Sequence, residues 1–224
     1  MSSAWVVVPA FNEAGAIGPV VDDLVRRGHR VVVIDDGSTD DTSAAARRNG
    51  AIVLRHIVNR GQGAALQTGI AFALRRGAEL IVTFDSDGQH AAEDVDALLA
   101  PLLEGRVAVV LGSRFIGSTI GIPPLRRAIL AVAVVFTRVA SGASVTDTHN
   151  GLRAFTRAAA EKLEIRLDRM AHASEILDQV VQHGLPFEEV PVHVRYTAYS
   201  RRKGQTSLSA LRILADYVLG RWMR

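Results

Sequence analysis

The chain has no cysteine, which removes disulfides, zinc–thiolate centres and thiol nucleophiles together. Aromatic residues make up only 5% of it and the formal net charge is only +3. With no lysine/arginine stripe interleaved with aromatics, no nucleic-acid partner is expected. The longest apolar run, Ala128 to Phe136, is nine residues, against the roughly 20 needed to cross a bilayer, so no membrane span is expected. Met1-Ser2-Ser3-Ala4-Trp5 shows no basic n-region or cleavage signal before the first apolar run, and a cytoplasmic setting is the expectation. Repeats, low-complexity stretches and linkers are missing as well. The 224 residues therefore read as one domain, 1–224.

What is present is an alternation. Short β-branched runs at Trp5–Val8, Arg30–Ile34, Ala51–Leu54, Leu80–Phe84 and Val107–Leu111 predict strands. Between them, Glu13–Arg27, Thr42–Arg48, Gly63–Arg76 and Ala92–Leu103 predict helices, followed by Gly28, Gly50, Gly77 and Gly105 at or near left-handed caps. Strands that are apolar throughout imply burial on both faces. The fold class that follows is α/β, with a Rossmann-like, mainly parallel central sheet flanked by helices. Beyond Leu111 the alternation stops. Gly112-Ser113-Arg114-Phe115 reads as a turn, and Pro123-Pro124 as the start of a helix through Ala140. Helices are expected near Thr156–Leu163 and Met170–His183, a strand at Phe187–Val194, and an amphipathic tail helix over 206–224. Residues 1–112 would form a nucleotide-binding half and 113–205 an acceptor-side half.

Right-handed crossovers place the strand-to-helix loops along one edge of such a sheet. Three polar motifs fall there: Pro9-Ala10-Phe11-Asn12-Glu13, Asp35-Asp36-Gly37-Ser38-Thr39-Asp40 and Asp85-Ser86-Asp87-Gly88-Gln89-His90. Asp85 and Asp87 can reach one small ion, and Gln89 adds a neutral oxygen. An all-oxygen set suits Mg2+ or Mn2+ better than zinc or copper. In isolation, Asp-Ser-Asp-Gly reads more readily as a turn and cap. The neighbouring loops change the balance, because a diphosphate beside an unneutralised carboxylate at 4 Å would cost about 4 kcal/mol at an effective dielectric of 20. A cation removes that repulsion and stabilises a leaving diphosphate. A carboxylate at Asp35-Asp36 can accept from a base N–H or from ribose hydroxyls, or cap the next helix, a job Asp40 or Asp41 could also do. In Asn59-Arg60-Gly61-Gln62-Gly63 the glycines fit a plain strand–helix turn, since the Gly-Lys-Ser/Thr of a P-loop is missing. Arg60 could still touch a ligand.

Together these residues resemble the family 2 glycosyltransferases of the GT-A fold, in the branch of the dolichyl-phosphate mannose synthases. The matching pieces are residues 6–13, 34–40, 59–65 and 85–90, then Gly112-Ser113-Arg114-Phe115, Thr146-Asp147-Thr148-His149-Asn150-Gly151-Leu152-Arg153-Ala154-Phe155 and Glu189-Val190-Pro191-Val192. The match covers most of residues 5–208. The resemblance implies inverting transfer of a sugar from a UDP- or GDP-linked donor. It assigns Pro9, Ala10, Glu13 and Asp36 to the nucleotide, with Asp36 at the base, and puts Asp85, Asp87 and Gln89 around the metal and the nearby ribose or phosphate. Arg201 lies where the family has a basic residue. Ser207 stands in place of the family lysine, which leaves Arg202 or Lys203 for the donor phosphate.

For the catalytic base, Asp147 and Glu175 are the candidates, with a turn former and a solvent-facing helix charge as their plain readings. An acceptor hydroxyl would need such a base. A polyprenyl phosphate, ionised with a second pKa of about 6, would not. The seven histidines have no zinc spacing, and His90, His149 and His172 could line the site. Arg126 and Arg127 adjoin the apolar run, and Arg212, Arg221, Trp222 and Arg224 enrich the tail. That pattern suits a helix lying on the inner face of an anionic membrane. Packing against the domain, a second copy in a homodimer or a membrane-protein partner explains it equally. Two rivals remain. A nucleotidyltransferase of this fold would want a basic, glycine-rich first loop, yet residues 9–18 hold no lysine or arginine. A non-catalytic nucleotide-sugar-binding subunit would have less use for an intact acidic triplet.

Overall fold

The computed structural model describes residues 3–120, 122, 145–148, 150–167 and 172–195. The predicted helix from Pro123, the tail over 206–224, His149, and the basic residues Arg201, Arg202 and Lys203 lie outside them. Among the described residues no helix is long and apolar enough to cross a membrane.

Among the described residues, seven strands and six helices follow in the order β1 (Trp5–Ala10), α1 (Ile17–Arg26), β2 (Arg30–Asp35), α2 (Thr42–Arg48), β3 (Ile52–Arg55), α3 (Gln62–Arg75), β4 (Leu80–Thr83), α4 (Asp94–Leu103) and β5 (Val109–Ile120). β6 (Arg153–Thr156), α5 (Arg157–Ala160), α6 (His172–Gln182) and β7 (Phe187–Arg195) complete them. The strands form one sheet in the order β3-β2-β1-β4-β6-β5-β7. All its pairings are parallel except those of β6, which runs antiparallel to both β4 and β5. The predicted mainly parallel sheet is therefore present.

Side chains alternate across the strands and feed two cores. Val6, Val8, Val31, Val33 and Val82 face α1 and α4, meeting Val21, Leu24, Leu98 and Leu99. Trp5, Val7, Val32, Ile34 and Ile81 face α3 and α6, meeting Leu66, Ile70, Ile176 and Val180. Both faces are covered, which is why these strands carry apolar residues without a break.

Three expectations are corrected. Gly112-Ser113-Arg114-Phe115 is not a turn: it lies inside β5, which continues to Ile120 and pairs with β7 across a register break between Ser113 and Ser118. The helix expected near Thr156–Leu163 shrinks to Arg157–Ala160, preceded by a strand the sequence did not suggest, β6 over Arg153–Thr156. α1 also starts later than Glu13. The N–H groups of Asn12, Glu13 and Ala14 are taken by Ser38 Oγ (2.9 Å), Thr42 Oγ1 (2.8 Å) and Asp40 Oδ2 (3.1 Å), so the chain stays a loop until Ile17.

Candidate active site

β1, β2 and β4 run parallel, so their carboxyl ends share one rim. Pro9 and Ala10 close β1 there, in register with Ile34 and Asp35 of β2. The first two loops are stitched by the Asn12, Glu13 and Ala14 bonds above and by Asn12 Oδ1, which accepts from Thr39 N–H at 2.8 Å. Asn12 pays for this with a φ of 53°. Glu13 is buried beneath them.

The two adjacent acids of the second motif do different things. Asp35 is fully buried and accepts Ser38 N–H at 2.8 Å and the Ser43 hydroxyl, so it shapes its own turn. Asp36 reaches across to the third loop, accepting N–H bonds from Arg60 (2.9 Å) and Gly61 (2.7 Å). His56 adds a contact from Nδ1 at 2.7 Å. That loop passes so close to Gly37 that a Cβ there would sit 2.7 Å from Asn59 N. The N-cap of α2, Asp41, makes no side-chain hydrogen bond, but Asp40 before it takes Thr42 N–H at 3.0 Å. The Arg60 side chain is exposed.

Asp85 and Asp87 follow β4. Neither caps α4, whose N-cap makes no side-chain hydrogen bond. Asp85 accepts from Gln62 Nε2 at 3.1 Å and meets His90 Nε2 at 3.2 Å. Asp87 accepts from Gln89 N–H at 3.0 Å and from Gln89 Nε2 at 2.6 Å, which turns the Gln89 amide N–H₂ onto its neighbour. Burial, and then the charge of Asp85, push the Asp87 carboxyl up to about 6. Burial works the same way on Asp85, but the His90 hydrogen bond and charge, with His172 and Arg114, outweigh it and hold that carboxyl below the usual range. The result is an uneven pair, one ionised and one resisting ionisation beside it. A cation would relieve exactly this kind of repulsion. Among the described residues no three His, Asp or Glu side chains cluster around one ion. The two carboxylates can thus supply part of an oxygen shell, the rest being open to ligand and water, as magnesium usually requires.

The antiparallel strand brings a further loop to the same rim. β6 pairs Arg153 with Thr83, so residues 150–152 lie beside the end of β4. Gly151 packs directly on Asp85: a Cβ there would come within 2.6 Å of the carboxylate carbon and nearer still to both oxygens. Its carbonyl accepts from Thr83 Oγ1 at 2.7 Å. Arg153 holds the loop from below, donating to the carbonyls of Asn150 (3.1 Å) and Thr148 (2.9 Å). Burial lowers its guanidinium to about 10 against the raising pull of Asp147 and Asp85. Glu189 of β7 holds the loop from the side through Thr146 N–H (2.8 Å) and Asp147 N–H (3.1 Å).

Asp147 is buried and accepts from Arg114 Nε at 2.6 Å. Glu175 is 1% exposed rather than solvent-facing, and accepts the N–H groups of Arg166 (3.0 Å) and Leu167 (2.8 Å). The structure thus gathers Pro9, Ala10, Glu13, Asp36, Asp85, Asp87, Gln89 and Asp147 along one rim. His56, Gln62, Gly151, Arg153 and Glu189 also build it; all but His56 lie within the motifs quoted above, but which partner each meets is set by contacts across the fold or with backbone rather than by any local pattern.

The family model described as glycosyl transferase family 2 matches residues 5–164. An uncharacterized protein of Methanocaldococcus jannaschii is 40% identical over 220 residues, covering 96% of this chain and 90% of that protein. A UDP-N-acetylglucosamine–dolichyl-phosphate N-acetylglucosaminyltransferase of Methanococcus voltae is 31% identical over 231 residues, covering 93% and 92%. Glucosyl-3-phosphoglycerate synthase of Mycobacterium tuberculosis, crystallised with Mn2+, UDP-glucose and phosphoglyceric acid, superposes with a TM-score of 0.72. It is 24% identical, covering 98% of this chain and 79% of that one.

Proposed function

This chain belongs to glycosyl transferase family 2 and is a glycosyltransferase; from that premise we propose that it moves a sugar, with inversion, from a UDP- or GDP-linked donor to a polyprenyl phosphate. The Methanococcus relative is named for a dolichyl-phosphate acceptor over nearly its whole length, which supports that acceptor class over a glycan. The observation that carries the reading is the Asp85/Asp87 pair at the rim, with Asp87 raised to about 6 by burial and by its neighbour.

The donor diphosphate lies over this pair, in the half formed by residues 1–112, and the acceptor approaches from residues 113–205. Asp85 and Asp87 would hold Mg2+ or Mn2+, whose positive charge stabilises the departing diphosphate. Gln89 orients Asp87 through its amide N–H₂, leaving its own oxygen for the ion or ribose. His90 and Gln62 fix the direction of Asp85. Pro9, Ala10, Glu13 and Asp36 receive the nucleoside, and Arg60, Arg201, Arg202 and Lys203 supply positive charge for its phosphates. The phosphate of the acceptor attacks as an oxyanion, so no group need remove a proton from it. Asp147 and Glu175, each already holding N–H donors, then serve to shape the acceptor side; with a hydroxyl acceptor, Asp147 would be the base. A lipid acceptor also asks for peripheral contact with a membrane surface, which the basic and apolar segments around Arg126 and Trp222 would provide.

The test is release of nucleoside diphosphate from a panel of UDP- and GDP-sugars, with Mn2+, on adding polyprenyl phosphate in detergent. Release with one donor, dependent on the lipid and abolished by Asp87→Ala, is the expected result. Silence across the whole panel, or full turnover by the variant, overturns the proposal.

A further inference from the structure

We infer that Asp94 is a positioning residue for the metal loop: by gripping His193 with both oxygens it holds the end of β7 against Gln89, and so fixes where Asp87 points. This rests on the proposal that Asp85 and Asp87 hold the cation. It starts from a buried acid that the mechanism leaves unused. Asp94 opens α4 and is 5% exposed, yet its hydrogen bonds leave that helix and go to one residue of β7. Oδ2 accepts His193 N–H at 2.7 Å, and Oδ1 meets His193 Nδ1 at 2.8 Å. A carboxylate only accepts, so Nδ1 carries the proton.

Just beyond His193, β7 meets the loop that carries the acids. Arg195 N–H donates to the Gln89 carbonyl at 2.9 Å, and His90 faces Val194 in a single antiparallel bridge. Gln89 in turn donates to Asp87 from its backbone N–H and from Nε2, while His90 Nε2 meets Asp85 Oδ2. The contacts close a ring. It runs from Gln89 along the chain to Asp94, across to His193, along β7 to Arg195, and back to Gln89. Removing the Asp94 grip opens that ring on the side away from the acids.

Sheet pairing alone does not fix this end of β7. The strand lies at the edge of the sheet, beside β5 only, and its register with β5 breaks between Ser113 and Ser118, opposite Pro191 and His193. A second anchor is needed where the ladder is interrupted, and Asp94 supplies it. Glu189, earlier on the same strand, holds the loop of Asp147 through the N–H groups of Thr146 and Asp147. β7 therefore works as a splint, setting the donor-side acids and the acceptor-side loop in one frame.

Mn2+ titration of the full chain with UDP or GDP present, read beside a thermal melt, separates positioning from plain stability. Asp94→Ala removes both bonds and should weaken Mn2+ binding roughly tenfold or more, the range for groups behind metal ligands. Its kcat should fall while KM for the lipid acceptor holds. His193→Leu removes only the ring bond and should act less strongly in the same direction. His193→Asn, whose amide N–H₂ stands near the Nδ1 position, should keep the parental affinity. Asp96→Ala is the control: it takes an acid from the same first turn of α4, with its 3.5 Å ion pair to Arg27, and should lower Tm without changing Mn2+ affinity. Parental Mn2+ affinity in Asp94→Ala, or an equal loss in Asp96→Ala, overturns the inference and leaves the metal proposal standing. If the parent itself binds no Mn2+ with either nucleotide, the metal proposal fails and the inference with it.

Discussion

Replacing Gly151 with alanine should disable the site while sparing the fold. Gly151 is not in the left-handed region, so alanine can adopt its backbone. The new methyl, however, would stand 2.6 Å from the Asp85 carboxylate carbon. Non-bonded carbon atoms settle at about 3.5–4.0 Å, so one partner must move by roughly 1 Å. The backbone of Gly151 is pinned by Thr83 Oγ1 and by Arg153 beneath the loop. Asp85, the end of a side chain, will move instead, losing its contacts with Gln62 and His90. Displacement on the order of 1 Å in a catalytic arrangement costs on the order of a hundredfold in rate, or about 2.7 kcal/mol. The assay pairs Mn2+ affinity, from titration or the paramagnetic resonance of free ion, with kcat/KM and a thermal melt. The expected result is weaker Mn2+ binding and slow transfer at nearly unchanged Tm. Normal Mn2+ affinity and turnover in Gly151→Ala would refute the claim that this glycine makes room for Asp85 as the proposed metal ligand.

Asp87→Asn should leave the fold intact and, with the pair's repulsion relieved, melt no earlier than the parent, while transfer falls by at least about a hundredfold; turnover and melting on one sample check both halves. The raised Asp87 carboxyl gives a pH dependence with a definite sign. Without metal, the folded protein holds this proton more tightly than the unfolded chain, so the group stabilises most below the ordinary carboxylate range and its contribution is lost as pH rises towards about 6. Mn2+ competes with the same proton and should bind progressively more weakly below about pH 6, which titrations at pH 5 and 7 will show. Asp147→Ala leaves the buried Arg114 without its 2.6 Å partner and should destabilise by about 3–5 kcal/mol, read by denaturant unfolding. Gly63→Ala drives a methyl into the Leu167 carbonyl oxygen and to 3.1 Å from His172 Cβ. It should cost about 1–3 kcal/mol in the same assay, with Mn2+ affinity retained.

Much of the site was legible because two independent sequence signals coincide. Val6–Val8, Val31–Ile34 and Ile81–Val82 are buried without interruption, and that property both marks a parallel sheet and fixes where its carboxyl rim lies. Asp36, Asp85 and Asp87 then stand at strand ends by position alone. The roles of individual carboxylates were less legible. Asp35 and Asp36 are adjacent and identical in type, yet one folds back on Ser38 while the other crosses to Arg60 and Gly61. Glu175 sits in the first turn of α6, where a charge is normally solvated, and is instead buried against the backbone of 166 and 167.

By itself, then, the sequence determined the layered α/β arrangement, the rim and the acids that end its strands, because these follow from local periodicity and the handedness of crossovers. The tertiary structure alone decided that Arg153–Thr156 inserts antiparallel between β4 and β5. Arg-Ala-Phe-Thr lacks the β-branched apolar run that marks the equally short β3 and β4, and its pairing with Leu80–Thr83 joins segments about seventy residues apart. That inversion delivers Gly151 onto Asp85 and Asp147 onto Arg114. Contacts of this kind depend on which surfaces meet after the sheet has formed, and no stretch of chain encodes them locally.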